Sequence, residues 1–301
     1  MSLAAQKAQN TLKTFVLIAG LTGLLLVIGQ LVGGHSGLVL FAGIAIVMNI
    51  AMYWFSAPMA LKMSKAVEVD ESQAPELHRM ITQIAVRAGI PKPKVYMTPA
   101  EQPNAFATGR NPKHAAVAVT QGIVQTLSQR ELEGVIAHEM AHIKNRDILI
   151  ASIAAMVAGA IAAIANYLQF SMFFGGGDDN DSPLGFVGLI ATIVLAPIAA
   201  MIIQMAISRQ REFQADATGA EFLGDGSGLA DALETLERGA HAIPLQVNPA
   251  AAPLYIVNPL AAFGGRGMTN LFSSHPPTAE RVSRLRSITG LLATAPRGLE
   301  V

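Results

Sequence analysis

Four long apolar stretches constrain the fold of this chain more than any other feature of its sequence. They cover residues 15–32, 38–55, 148–168 and 184–207, and a helix needs about 20 apolar residues to cross a bilayer. Hydrophobic residues make up 51% of the chain and charged residues only 14%, which is typical of membrane proteins. We therefore expect four transmembrane helices arranged in two hairpins.

The basic residues predict how these helices are oriented. Of the 21 Lys and Arg residues, two precede the first stretch, eleven lie between the second and third, and eight follow the fourth. Cytoplasmic loops carry the excess of Lys and Arg, so we expect both termini and the middle region on the cytoplasmic side. The chain is then a multi-pass protein of the cell (inner) membrane, with two short outward loops.

This topology divides the chain into four parts. Residues 1–56 form an N-terminal transmembrane hairpin, 57–147 a cytoplasmic segment, 148–207 a second hairpin, and 208–301 a second cytoplasmic segment. Together the two cytoplasmic segments make one domain of ordinary size. The absence of cysteine excludes a disulfide scaffold and a thiolate zinc site. A net charge of zero gives no reason to expect nucleic acid as a partner.

Local patterns in the first cytoplasmic segment predict helices and a small β-sheet. Apolar residues recur with helical spacing over 75–88. Residues 94–97 have the composition of a strand, and 104–108 can pair with 115–120 as a short hairpin or meander. We therefore expect a cytoplasmic domain that is mainly α with a small β-sheet.

Residues 138–142 read His-Glu-Met-Ala-His, an HExxH pattern. On a helix, His138 and His142 project from one face, so both imidazoles can bind a single metal ion. Glu139 lies about 100° around the helix from His138. It can therefore reach a metal-bound water without binding the metal itself.

The helix that carries this pattern begins at a recognisable signal. Ser128 and Glu131 form a capping box ahead of an apolar run. No Pro or Gly occurs between Gly134 and Gly159. We therefore expect the helix to continue without a break into the third apolar stretch.

Two imidazoles leave a catalytic zinc site incomplete, because such a site usually has three protein ligands and an open fourth position. The Gly-x-x-His extension that supplies a third ligand in metzincins is absent after His142. His35 lies in an outward turn, and His78 and His241 have no supporting pattern. Glu212 is the best candidate, because it follows the fourth stretch about as closely as His142 precedes the third. A tight transmembrane hairpin therefore returns both residues to the same depth.

Asp216 lies one helical turn beyond Glu212. Its carboxylate can accept the second N–H of a zinc-bound imidazole, which fixes the tautomer and raises the basicity of the ligand. The alternative is that both carboxylates belong to a solvated face beside Arg209 and Arg211. The nearby HExxH pattern favours the metal site.

Three segments of the chain closely resemble the HtpX family of bacterial integral-membrane zinc proteases, which is related to the CAAX prenyl endopeptidases. They are His-Glu-Met-Ala-His-Ile-Lys-Asn-Arg-Asp at 138–147, Ser-Arg-Gln-Arg-Glu-Phe-Gln-Ala-Asp-Ala at 208–217, and Ser-His-Pro-Pro-Thr-x-x-Arg at 274–281. The resemblance covers nearly the whole chain, including Asn-Ala-Phe-Ala-Thr-Gly at 104–109. It implies four transmembrane helices plus a cytoplasmic gluzincin-like zinc protease domain, with one Zn²⁺ per chain and Glu212 as the third ligand.

The chemistry of peptide hydrolysis assigns further roles. Glu139 is the expected general base, which later delivers its proton to the leaving amine. The oxyanion needs a donor besides zinc; His275 is the candidate, helped by Arg281, and a helix cap or surface position is the alternative for His275. Asn104 and Ala105 begin a segment that can form an exposed edge strand and pair with an extended substrate. An ordinary internal strand is the alternative there.

The family resemblance implies quality control of membrane proteins, often linked to stress. The resulting hypothesis is a zinc metalloendopeptidase that cleaves misfolded or membrane-associated proteins at the cytoplasmic face. Its partners are membrane protein substrates and the lipid bilayer, with a homo-oligomer as a possible assembly. A dedicated CAAX-type processing protease is one alternative, although four helices in a monomer cannot enclose a large chamber. A catalytically silent membrane scaffold or holdase is another, although it needs no general base.

Overall fold

The computed structural model describes residues 3–153, 209–242 and 276–294, and these are mostly helical with one small mixed sheet. The predicted mainly α class is therefore confirmed. The helices are α1 (Leu3–Met63), α2 (Pro75–Ala88), α3 (Gln121–Thr126), α4 (Gln129–Asn145), α5 (Arg209–Leu223), α6 (Ser227–Ala242) and α7 (Thr278–Thr294). The strands are β1 (Val67–Glu68), β2 (Lys94–Thr98), β3 (Ala105–Gly109) and β4 (Ala115–Thr120). His275 and most of the two later apolar stretches lie outside the described residues.

The N-terminal helix α1 is bent back on itself at the Gly33–Gly34 pair, where Gly34 adopts φ 57° and ψ −138°. The two halves run antiparallel and are in contact: the side-chain amide of Asn49 in the second half donates a 2.9 Å hydrogen bond to the hydroxyl of Thr22 in the first. In the described part of the chain, one helical segment, Gly33–Met63, is long and apolar enough to cross a membrane. A shorter apolar segment, Ile18–Val27, lies in the other half. The arrangement of four transmembrane helices in two hairpins therefore remains a prediction.

The sheet has the strand order β1-β2-β4-β3. Strands β3 and β4 pair antiparallel from Ala105 opposite Val119 to Gly109 opposite Ala115, so the predicted hairpin is confirmed. Strand β2 pairs parallel to β4, and β1 pairs antiparallel to β2. Strand β3 is therefore an edge strand, but its five residues are buried rather than exposed because α4 and α1 pack against it.

Helix α4 is the centre of the domain and packs against α5 and α6. Glycines let the backbones approach closely. A Cβ atom on Gly134 of α4 would lie 2.8 Å from the carbonyl carbon of Gly228 in α6. One on Gly219 of α5 would lie 3.0 Å from the backbone nitrogen of His138. Helix α5 is thus held against α4 at the level of the HExxH pattern.

The expectation that α4 continues without a break is wrong. The helix ends at Asn145, and Arg146 adopts a left-handed conformation with φ 59° and ψ 35°. The backbone N–H of Asp147 then bonds the carbonyl of His142 at 3.2 Å, and helical structure resumes at 148. No Gly or Pro marks this turn in the sequence. The turn folds the Asp147 carboxylate back to within 3.0 Å of Nδ1 of His142, a contact that stabilises it.

Candidate metal centre

The side chains of His138, His142 and Glu212 converge, as predicted, on one point between α4 and α5. The Nε2 atoms of the two histidines lie 3.1 Å apart. One Glu212 oxygen lies 3.6 Å from Nε2 of His138, and the other lies 3.8 Å from Nε2 of His142. The three side chains therefore form a triangle of potential metal ligands, in which a different oxygen of Glu212 faces each imidazole.

This triangle fits a tetrahedral zinc ion. With zinc–nitrogen and zinc–oxygen bonds of about 2.0–2.1 Å, neighbouring ligand atoms in a tetrahedron lie about 3.3 Å apart. The two Nε2 atoms, 3.1 Å apart, lie close to that value, and the Glu212 oxygens, at 3.6 and 3.8 Å from one imidazole each, lie slightly beyond it. The described residues thus bring together two imidazoles and one carboxylate, a donor set found in catalytic zinc sites.

The ring of His138 is oriented by a buried carboxylate. Its Nδ1 lies 2.9 Å from Oδ1 of Asp216. A carboxylate can only accept, so Nδ1 carries a proton, and Nε2, which faces Glu212, is the nitrogen left to bind a metal. Burial lowers the pKa of His138, but its hydrogen bonds to Asp216 and Glu212 outweigh burial and raise it.

Asp216 is itself held by Arg281 from helix α7. The guanidinium binds both carboxylate oxygens, with Nε 2.9 Å from Oδ2 and Nη2 2.7 Å from Oδ1. Burial raises the pKa of Asp216, but the charge of Arg281 and its hydrogen bonds lower it to about 2. Arg281 is 1% exposed. Arg281, predicted to bind substrate and to help stabilise the oxyanion, therefore supports a ligand of the metal centre through Asp216 in the structure.

The ring of His142 is oriented in the same way by Asp147, a residue that the sequence analysis did not select. Nδ1 of His142 lies 3.0 Å from Oδ2 of Asp147. Burial lowers the pKa of His142, but Asp147, together with Glu212 and Glu139, outweighs burial and raises it to about 10. The only sequence signal was an Asp five residues after the second histidine. It becomes informative only when the left-handed turn at Arg146 is known.

Glu139 lies beside the triangle and is held by the edge strand. Its Oε2 accepts a 2.8 Å hydrogen bond from the backbone N–H of Ala107 in β3. The residue is 7% exposed, and burial raises the pKa of its carboxyl group. A carboxyl group with a raised pKa takes up a proton more readily near neutral pH, which suits a general base.

The remaining predicted residues lie along the edge strand. Asn104 is bonded into the sheet, because its N–H donates to the hydroxyl of Thr120 and its carbonyl accepts from the Thr120 N–H, both at 2.9 Å. Ala105 pairs with Val119. Two residues after Ala105, the N–H of Ala107 bonds to Glu139. The predicted substrate-binding segment therefore lies next to the metal centre.

Two imidazoles and a carboxylate that converge on one point, with a second carboxylate beside them, define a metallopeptidase site. Comparison with known proteins agrees: the model of peptidase family M48 matches residues 71–289. The chain therefore belongs to peptidase family M48, and its resemblance to the HtpX family is confirmed.

Similar proteins support this placement over nearly the full length. A protease HtpX homolog from Gemmatimonas aurantiaca is 54% identical over 279 residues, which cover 93% of this chain and 99% of that protein. One from Persephonella marina is 53% identical over 280 residues, covering 92% and 96%. Among solved structures, the crystal structure of S. mikatae Ste24p is similar with a TM-score of 0.48 and 19% identity, covering 94% of this chain and 67% of that one.

Proposed function

We propose that this protein is an integral-membrane zinc metalloendopeptidase that cleaves misfolded or membrane-associated proteins at the cytoplasmic face. The observation that carries the proposal is the triangle of His138, His142 and Glu212 with Glu139 beside it. A purely structural metal site needs no such neighbouring carboxylate. The protease HtpX homologs that match almost the whole chain support the same activity.

Glu139 performs the proton transfers in this proposal. A bound Zn²⁺ lowers the pKa of water and polarises the scissile carbonyl. The Glu139 carboxylate accepts the proton of the attacking water and then donates it to the leaving amine. Its bond to the Ala107 N–H fixes one oxygen, so the other stays available for the proton.

The other site residues orient these groups and the substrate. Asp216, with Arg281, holds the ring of His138, and Asp147 holds the ring of His142. We propose that Asn104 and Ala105 act in substrate binding through the edge strand that they begin and that reaches Glu139; both are buried, so a substrate would bind only after the elements that cover this edge have moved. His275 as the oxyanion donor remains a prediction.

The membrane placement follows from how the ligand-bearing elements are connected. His142 is six residues before 148, where the third apolar stretch begins, and Glu212 is five residues after 207, where the fourth ends. The metal centre should therefore lie within about two helical turns of the bilayer surface. Loops and tails of membrane proteins are then the substrates. The proposal also allows the chain to self-associate as a homo-oligomer.

The proposal is tested with the purified chain in lipid vesicles. One substrate sequence is offered in two forms, as a soluble unfolded peptide and attached to a transmembrane anchor. We expect zinc-dependent cleavage with a clear preference for the anchored form, and we expect Glu139→Gln to keep the metal and lose turnover. Equal cleavage of both forms contradicts the membrane placement, and full activity of Glu139→Gln contradicts the assigned base.

The same preparation separates the alternatives. A dedicated CAAX-type processing protease cleaves a prenylated C-terminal peptide and leaves the anchored loop intact. A silent scaffold or holdase binds unfolded chains equally well with Glu139 or Gln at position 139, and cleaves neither.

A further inference from the structure

The turn between β3 and β4 lies beside the end of the long apolar segment of α1. The guanidinium carbon of Arg110 in this turn is 4.4 Å from the ring centroid of Trp54, which is the only tryptophan of the chain. Trp54 makes an edge-to-face contact with Tyr53, and their exposed fractions are 51% and 39%. Tyrosine and tryptophan concentrate where membrane helices cross the headgroup layer. The β3–β4 turn is therefore level with a predicted membrane interface.

The residues of α1 before and after this aromatic pair are consistent with a membrane interface at the pair. Before it, α1 exposes apolar side chains that include Val39, Leu40 and Val47, each more than half exposed. Beyond it, α1 still exposes Met59 and Met63, and the first exposed basic side chains are Lys62 in its last turn and Lys65 just after it. A change from exposed apolar to basic side chains along one helix marks the passage from acyl chains to water.

A second attachment fixes the other side of the hairpin. The hydroxyl groups of Thr108 and Ser152 are 2.7 Å apart. A Cβ atom on Gly109 would lie 3.0 Å from the Cδ1 atom of Ile148. Ser152 and Ile148 open the third apolar stretch, so the hairpin is held between two predicted membrane helices.

The charge of the turn is entirely positive. Its basic side chains are Arg110 and Lys113, and no Asp or Glu occurs from Asn104 to Thr120. The side chain of Asn111 accepts hydrogen bonds from the Lys113 N–H and the His114 ring, which makes the turn tight. Lys113 is exposed, and no carboxylate of the described residues lies within ion-pair distance of it.

We propose that the turn from Arg110 to His114 is a binding surface for anionic phospholipid headgroups. The headgroup phosphates accept charge-assisted hydrogen bonds from Arg110 and Lys113. Strand β3 leads from this turn to the Ala107 N–H that holds Glu139, so bound lipid fixes the strand that positions the proposed base. The inference rests on the membrane placement in the proposed function.

Trp54 supplies the probe for the test. The full chain is placed in phosphatidylcholine vesicles that contain about 20 mol% of an acyl-brominated lipid, either phosphatidylglycerol or phosphatidylcholine. A basic residue near an anionic surface enriches anionic lipid about five-fold, so brominated phosphatidylglycerol should quench Trp54 clearly more strongly than brominated phosphatidylcholine. High salt should reduce this difference, because the charges are exposed. Equal quenching by the two lipids overturns the proposal.

Matched variants identify the residues responsible. Arg110→Gln/Lys113→Gln should abolish the difference, and Lys113→Gln alone, which keeps the contact with Trp54, should reduce it. The control Arg79→Gln/Arg238→Gln removes two exposed charges from α2 and α6 and should keep it. Because each comparison is made between two lipids in one variant, changes in the intrinsic emission of Trp54 cancel. A difference that survives removal of both basic residues overturns the proposal.

Two further measurements separate this proposal from others. Inorganic phosphate at matched ionic strength should leave the lipid preference intact; if it abolishes the preference, the turn is a free-phosphate site and the proposal is overturned. Glu139-dependent cleavage is measured in the same vesicles. Equal quenching with intact cleavage overturns the lipid surface alone, whereas lipid preference without cleavage overturns the proposed function alone.

Discussion

The Nε2 atoms of His138 and His142 face each other at 3.1 Å, while the Nδ1 atom of each ring is bound to its own aspartate. Because each Nδ1 donates to a carboxylate, the Nε2 atoms of both rings are left to face the same point. The Glu212 carboxylate points there as well. A metal ion that binds at this point must displace the proton that the raised pKa of His142 keeps on its ring, so this relationship makes the metal centre testable.

Replacement of Glu212 should remove the metal. We expect Glu212→Gln to reduce zinc from about one ion per chain to a small fraction after dialysis, because an amide carries no charge and leaves two imidazoles as ligands. Elemental analysis measures this. The matched control is Glu221→Gln, an exposed carboxylate on the same helix α5, and full zinc content in the Glu212 variant contradicts its role as a ligand.

Replacement of Asp147 should weaken zinc binding without abolishing it. Asp147→Asn keeps the size of the side chain but loses the charge that orients His142, and loss of such a partner typically costs about 10–100-fold in metal affinity. Competition with a zinc chelator measures the change. Arg146→Gly is the control, because glycine adopts the left-handed turn freely. An affinity that is unchanged in the asparagine variant leaves Asp147 with a purely structural role.

Zinc affinity should rise with pH around neutrality. Burial lowers the pKa of His142, but Asp147 with Glu212 and Glu139 outweighs burial and raises it to about 10. Below that pKa the metal must displace a proton from the ring, so each unit of pH gained should strengthen binding about tenfold per proton released. Chelator competition between about pH 6 and about pH 8, with calorimetry in two buffers to count protons, tests the sign. A pH-independent affinity excludes this competition.

Close packing of α5 on α4 should be sensitive to one methyl group. Gly219→Ala places a Cβ atom 3.0 Å from backbone atoms of Ala137 and His138, so we expect a loss of about 1–3 kcal/mol in stability and weaker zinc binding as α5 shifts. Gly239→Ala is the control, because a Cβ there meets nothing within 4 Å. It should stabilise α6 by about 0.5–1 kcal/mol. Thermal unfolding without zinc measures the change in stability of each variant. The additional stabilisation on adding zinc then measures the change in zinc binding.

Short-range patterns predicted much of the fold. The capping box at Ser128 and Glu131 forms as expected, and the β3–β4 hairpin and α2 lie close to their predicted bounds. These features depend on neighbouring residues, so local preferences suffice to find them. The end of α4 could not be found in this way. Arg146 has no special sequence character, and the contact between the side chains of Asp147 and His142 stabilises its left-handed turn.

The sequence by itself determined the chemical groups of the metal centre, because helical periodicity alone puts His138 and His142 on one face. It also determined the apolar stretches that predict a membrane protein. Only the tertiary structure decided how the groups are held: Arg281 from α7 buried on Asp216, Asp147 folded back on His142, and the Ala107 N–H of β3 on Glu139. These contacts join residues from separate elements, and their geometry exists only after close packing brings those elements together.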